Sequence, residues 1–191
     1  MPTRVPTRRE QVLDAAIAVL GRDGIRHLTH RAVDAAAGVP AGSTSNYFRT
    51  RDALVEAVIS RFAERERAAW EEIAAVLRPD TGDRLAAALA AFVRQATTGP
   101  DRELTTARYA VFVEAALRPE LQPYLHATMA AIRAWAARWL RDVGSALPER
   151  DCELLLNQLD GMMLHRLCGA AAAVDPYPEL AGLIRKMIPK P

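Results

Sequence analysis

Residues 28–54 read LTHRAVDAAAGVPAGSTSNYFRTRDAL, and the spacing of stops and starts within them decides the fold. Thr29 is placed to cap a helix, and Leu28 before it can staple onto Val33. Ala32, Val33, Ala36 and Ala37 then form an apolar face of small residues that lets a second helix approach closely. Gly38 can take the left-handed conformation that a helix stop needs. Pro40 follows after one residue and is suited to open the next helix. That helix, about 41–47, is short because Thr50 caps yet another. Two short helices joined by a tight glycine-containing turn make a helix-turn-helix, with Val39 and Phe48 as plugs of its small core.

Working outward, Thr7 and Glu10 have the spacing of a capping box. Leu13, Ala16, Ile17 and Leu20 recur behind it at helical period, and Gly24 is a natural stop, so a helix is predicted over about 8–22. From Thr50 a long helix runs to about Leu77, with Leu54, Val55, Val58, Ile59 and Phe62 on its apolar side. Pro79-Asp80-Thr81-Gly82 breaks it. Further helices are predicted at about 83–97, 102–117, 119–143, 149–173 and 177–187. No segment alternates as a strand does, and the fold class is all-α.

The chain has 191 residues, half of them hydrophobic and a quarter charged, enough to bury a real core. Its net charge is only +2, but residues 1–52 hold eight arginines against five acids, a surplus of three. A mildly basic head on a near-neutral body suits a nucleic-acid partner. No secretory leader and no apolar run of membrane-spanning length is present, so a cytoplasmic location and no membrane partner are expected. Cys152 and Cys168 give neither a disulfide framework nor a zinc knuckle.

The small polar run at 38–48 invites a phosphate, and the question is whose. A nucleotide loop of the G-x-x-x-x-G-K-[ST] type needs a preceding strand and a lysine, and both are missing; G-x-G-x-x-G and the nucleophile elbow are absent too. DNA fits better. The second helix of this motif enters the major groove by its N-terminal end. Ala41, Gly42 and Ser43 keep that end slim, and Ser43, Thr44, Ser45 and Asn46 supply short donors and acceptors for bases or phosphates. Tyr47 offers a hydroxyl to phosphate while Phe48 faces the core. At Thr50-Arg51 the free amides of the next helix make a second phosphate seat, to which Arg51 adds a full charge.

At these residues the sequence resembles the tetracycline-repressor (TetR-like) family of bacterial transcriptional regulators. Leu-Thr, Ala-Gly-Val, Gly-Ser, Tyr-Phe and a capped basic residue before Asp-Ala-Leu coincide over 28–54, about the first third of the chain. The resemblance implies a helix-turn-helix DNA-binding domain over 1–52 and a helical ligand-binding and dimerisation domain over 53–191. It implies a homodimeric repressor that binds a palindromic double-stranded DNA operator and is released by a small-molecule effector. Carried over by position, Ser43 to Tyr47 touch the operator, Thr29 and Arg31 contact its backbone, and Arg51 holds phosphate. Many relatives have a lysine where Ala41 sits and an aromatic where Ser45 sits. Phosphate affinity is therefore expected to lean on the N-terminal arm, Arg4, Arg8 and Arg9.

In the body, Leu121, Leu125, Thr128, Ile132, Trp135 and Trp139 recur at threes and fours. Over 149–173, Leu155, Leu159, Met162 and Arg166 share one face, while Leu156, Met163, Leu167 and Ala170 share the other. A helix apolar on two faces needs two neighbours, one of which a second copy can supply. The expected dimer interface is Leu125, Ile132, Trp135, Trp139, Leu155, Leu159, Met162 and Arg166. The expected ligand cavity is lined from Trp70, Phe92, Arg108, Tyr109, Phe112, Glu114, His126 and Met163. Arg108 or Glu114, if buried without a partner, would hint at a charged ligand. The four histidines, His27, His30, His126 and His165, fall in no metal-ligand spacing, and no paired carboxylates suggest catalysis. His165 and Cys168, three apart, read as packing on one helix face. No cofactor is called for and no enzyme is expected. The competing readings are a helical small-molecule carrier or enzyme with no DNA role, and a DNA binder with a protein partner or no effector.

Overall fold

The computed structural model describes residues 6–169 and 174–188. Its helices are α1 (Arg8–Asp23), α2 (His30–Ala37), α3 (Ser43–Tyr47), α4 (Arg51–Leu77), α5 (Gly82–Ala96), α6 (Asp101–Leu117), α7 (Gln122–Asp142), α8 (Pro148–Leu167) and α9 (Tyr177–Met187), with no strand among the described residues. Short 3-10 turns at Ile25–His27 and Pro119–Leu121 lead into α2 and α7. The all-α class read from periodicity is correct.

The local signals act as expected. The Thr7 hydroxyl accepts from the Glu10 amide while the Glu10 carboxylate accepts from the Thr7 amide, completing the capping box. Thr29 caps α2 through the Ala32 amide, and Thr50 caps α4 through Ala53. Gly38 closes α2 at φ 63°, a left-handed turn that costs a residue with a Cβ far more. Two boundaries differ. Pro40 does not open α3: Pro40 and Ala41 belong to the turn, and α3 starts at Ser43. α8 ends at Leu167 rather than about 173, because Gly169 takes φ 87°. Ala170 and the arm residue Arg4 lie outside the described residues.

Packing divides the chain into two compact units. The first comprises residues 1–64 and 103–128, the second 65–102 and 129–191. The first unit has a continuous core of Leu13, Ile17 and Leu20 from α1, Val33 from α2, Leu54 and Ile59 from α4, and Leu104, Val111 and Ala115 from α6. The helix-turn-helix therefore shares its core with α6 and does not stand alone. Arg61 ties α4 to α1, its Nε and Nη2 donating to both oxygens of Asp14 at 2.9 Å. The Asp14 bond, helped by Glu64, raises the Arg61 pKa further above its ordinary value despite burial. At the start of α4, Asp52 pairs with Arg118 at 2.9 Å, and Glu114 faces both Arg118 and Arg51.

The second unit is built on α5. Its Leu85, Leu89 and Val93 are buried together with Leu155, Leu159 and Met163 of α8 and Leu180 and Ile184 of α9. Thr81 caps α5 through the Arg84 amide. No described helix is long and apolar enough to cross a membrane.

α1 and α6 meet closely in the first unit. A Cβ built on Gly21 would lie 2.2 Å from the Glu103 carbonyl oxygen, so the first turn of α6 rests against a bare stretch of α1. Gly21→Ala forces backbone apart, and overpacking of this kind costs about 1–3 kcal/mol. A thermal melt of the variant should show a midpoint lower by about 2–4 °C per kcal/mol for a chain of this size. An unchanged midpoint would mean that α6 is not seated on α1 as described.

Candidate nucleic-acid interface

α3 has five residues, too few to persist without outside support. The support is Asp34 of α2, only 4% exposed. Its Oδ2 accepts from the Gly42 amide at 2.7 Å, and its Oδ1 accepts from the Thr44 amide at 2.8 Å and the Thr44 hydroxyl at 2.5 Å. A carboxylate at the positive end of α3 both satisfies orphan amides and complements the helix dipole. Burial alone would raise the Asp34 pKa. The Thr44 hydroxyl, the Thr44 and Gly42 amides and nearby His30 outweigh it and hold the carboxyl below its ordinary value.

Two further bonds brace the turn. Gln11 Nε2 of α1 donates to the Ala37 carbonyl at 3.0 Å, and His30 Nε2 donates to the Phe48 carbonyl at 2.6 Å. Val39 and Phe48 are buried plugs, as their positions suggest.

Sequence reasoning placed Ala36 on the inner face of α2, but Ala36 is exposed and Asp34 is inside. Thr44, assigned to DNA, is fully buried and occupied by Asp34. A side chain so placed reaches no base. Ser43 is half-buried with its hydroxyl donating to the Pro40 carbonyl, and the exposed Ser45 donates to Gly42. Asn46 and Tyr47 are exposed, and among the described residues neither side chain forms a hydrogen bond. Thr29, Arg31, Ala41, Gly42 and Thr50 are exposed around them. Arg51 is partly turned inward: Nη2 donates to the Ile25 carbonyl at 2.8 Å and Nη1 stands 3.8 Å from Glu114. Arg49, not singled out from the sequence, is exposed beside Phe48. Arg8 reaches Gln11, and the Arg9 guanidinium lies 5.2 Å from the centroid of the Phe48 ring.

The ligand candidates fall in both units. In the second, Trp70 packs edge-on against Phe92 and against Trp139, and Met163 is buried. The buried indole N–H groups of Trp70, Trp135 and Trp139 meet no acceptor among the described residues. Guanidinium groups lie over these rings: Arg67 over Trp135, and Arg138 over Trp135 and Trp139 at 5.1 and 4.9 Å. In the first unit, buried Arg108 lies over Tyr109 and Phe112, His126 is exposed, and Glu114 is paired with Arg118 and Arg51. The condition that made Glu114 a pointer to a charged ligand, burial without a partner, is not met.

The α8 face expected at the dimer interface turns largely into its own unit. Leu155, Leu159 and Arg166 are buried, Met162 is partly so, and Arg166 donates to the Thr97 hydroxyl and the Val174 carbonyl. Leu154 and Leu164 are exposed instead, on the side that also carries Asn157 and Gly161. On α7, Leu125 packs on the first unit's core, while Ile132, Trp135 and Trp139 are partly buried. Among the described residues no group of three metal-ligating side chains converges. Cys152 is buried with its thiol donating to the Arg133 carbonyl; burial pushes its pKa up to about 11.

The Asp34 geometry has a measurable consequence. Asp34→Asn keeps the shape but leaves one acceptor where two served three donors, and losing charged bonds at a buried site costs about 1.5–3 kcal/mol. Because the folded carboxyl is held below its ordinary value, this stabilisation is complete above about pH 4. It is lost as pH falls through the depressed folded value. Urea midpoints of wild type and variant should therefore differ most near neutrality and converge in acid. A gap that stays constant with pH would show that Asp34 does not stabilise through its charge.

Two family models match the sequence. One, described as tetracyclin repressor-like, C-terminal domain, covers residues 80–190; the other, bacterial regulatory proteins, tetR family, covers residues 12–58. The HTH-type transcriptional regulator BetI of Cronobacter sakazakii is 35% identical over 74 residues, 39% of this chain. The match spans about a third of that relative's length, 35% of it. Among solved structures, the multidrug binding protein EbrR complexed with imidazole is 28% identical, with TM-score 0.70 over 98% of each chain. A member of the TetR family from Streptomyces coelicolor, SCO1917, is also 28% identical, with TM-score 0.74 over 97% of this chain and 100% of that one. Both ends of the sequence and the whole helical layout agree: the chain belongs to the tetracycline-repressor family of bacterial regulatory proteins.

Proposed function

We propose that this protein is a transcriptional repressor that binds a palindromic DNA operator as a homodimer and releases it when a small molecule binds the helical body. The observation that carries the DNA reading is α3 itself. Its base is fixed by buried Asp34, and its outer face presents Asn46 and Tyr47 with no hydrogen bond to other described residues. Free donors on a rigid helix are what base and phosphate readout requires. Arg31, Arg49 and the amides that open α4 at Thr50 surround it with phosphate seats. In role, residues 1–52 read DNA and residues 53–191 bind ligand and dimerise.

The effector reading is supported by the tryptophan cluster of the second unit. Three buried indole N–H groups without acceptors each forgo a bond worth having, about 1–3 kcal/mol for a buried donor. A ligand bringing acceptors to Trp70 and Trp139 recovers part of that. Structures of the similar EbrR are described as complexes with imidazole and with ethidium, which supports small-molecule binding in this fold. A ligand shifts DNA affinity only by its preference for the conformation that does not bind. For the dimer, the exposed face of α8 at Leu154, Gly161 and Leu164 is the better contact, because Gly161 has open space at its Cα.

Selection of bound duplexes from a random pool, at two salt concentrations, tests the reading. A palindromic consensus whose affinity falls steeply with salt is expected, since neutralised phosphates release counterions. Asn46→Ala should relax preference at one position in each half-site by about 1–3 kcal/mol. Tyr47→Phe should weaken all sequences alike. No enrichment at either salt would sink the DNA reading and favour the helical carrier.

A further inference from the structure

The first unit contains a groove of about 470 Å³ that the reading above does not use. Tyr47 at the end of α3, Phe48 beyond it and Tyr124 of α7 are among the residues that line it. Its only ionisable side chains besides the tyrosines are Arg9 and Glu56. The Glu56 carboxylate meets the Tyr124 hydroxyl, an acceptor contact that raises the Tyr124 pKa. Neither Glu56 nor Arg9 forms an ion pair with any described residue, and they do not pair with each other. Arg9 is only laid over the Phe48 ring.

We infer that this groove is a second small-molecule site, and that its ligand is a planar aromatic zwitterion. Two opposite charges line the same groove without an ion-pair partner among the described residues. A ligand with a single charge satisfies one of them and is repelled by the other. A ligand with a cationic group at one end and an anionic group at the other satisfies both, through charge-assisted bonds to Glu56 and Arg9. The aromatic requirement follows from the exposed rings of Tyr47 and Tyr124 that line the groove, which favour a flat, electron-poor body between the charged ends. The groove is open to solvent, so a ligand there is held chiefly by its charged ends.

Arg9 and Tyr47 are also residues offered to the operator. A ligand in the groove occupies them directly, so it opposes DNA by competition and needs no conformational relay from the body. That consequence rests on the repressor reading; the site itself does not.

The probe is 4-amidinobenzoate, titrated calorimetrically into the full-length protein without DNA. Benzamidine and benzoate, each with one charge, serve as comparisons. Saturable binding is expected, at least tenfold tighter than either comparison. Glu56→Gln should weaken the zwitterion at least tenfold and leave benzoate no weaker. Ala127→Trp, at an exposed position on the groove wall, should abolish binding of all three while the melting midpoint stays put. No binding to wild type, or binding undiminished in Ala127→Trp, overturns the site. Equal affinity for zwitterion and benzamidine overturns the ligand class. If DNA binding has been established, the zwitterion should displace DNA from wild type but not from Ala127→Trp; binding in the groove without displacement would overturn the competition alone.

Discussion

A single carboxylate holds the helix-turn-helix in shape. Asp34 is buried, and its two oxygens take the amides that open α3 together with the Thr44 hydroxyl. A five-residue helix gains little from its own hydrogen bonds, since nucleation is costly and propagation barely begins. Its orientation must come from elsewhere. Once Thr44 is drawn inward to Asp34 and Phe48 into the core, helical geometry leaves Ser45, Asn46 and Tyr47 facing out. The candidate DNA surface is thus a by-product of one buried polar cluster. That cluster carries a charge with no salt bridge inside it, which a protein tolerates only when every lone pair in use is matched by a donor.

The second constraint is that the head owns no private core. Leu104, Ala107 and Val111 of α6 are packed with Leu13, Ile17 and Leu54, and Gly21 is bare so that α6 can lie against α1. Close-packed interiors deform in steps rather than continuously. A displacement of α6 therefore has to carry α1 and α4 with it or break the core. The Arg118 contacts with Asp52, Glu114 and Glu120 link the start of α4 to the end of α6. Such partly exposed pairs add little stability, and their effect is on alignment. Within the first unit, α1, α4 and α6 are thus tied by a shared core and by these pairs.

What the sequence revealed follows the range of each interaction. Thr7, Thr29, Thr50 and Gly38 act on backbone groups within four residues, so their spacing alone identified them. The apolar faces of α1 and α4 were equally legible from period. Asp34 was not, because an acid on an alanine-rich helix reads as a solvated face, and its partners lie eight and ten residues on. Thr44 was misread for the same reason: its hydroxyl looks free until Asp34 is placed opposite. Arg51 looked like a pure phosphate ligand, yet it donates to Ile25, twenty-six residues away. On α8 two apolar stripes were visible, but which one faces its own subunit depends on α5 and α9 and is fixed only by packing.

The charges around the aromatic groups argue against copying an effector from a neighbour's description. Ethidium is a flat cation, and an open indole face attracts a flat cation through its quadrupole. In this chain the faces of Trp135 and Trp139 already carry the guanidinium groups of Arg67 and Arg138. A cationic dye would have to displace an arginine or sit beside it, although Glu71, 3.2 Å from Arg67 and 3.7 Å from Arg138, offsets part of their charge. What the cluster lacks is acceptors, since three indole N–H groups go unmet. A ligand placed against these indoles gains most by offering acceptors to their N–H groups. The only carboxylate on an aromatic-walled groove in the first unit is Glu56, among the residues described there. A cation held against Glu56 would lie in the same groove as Arg9, which is why that groove suits a ligand carrying both charges.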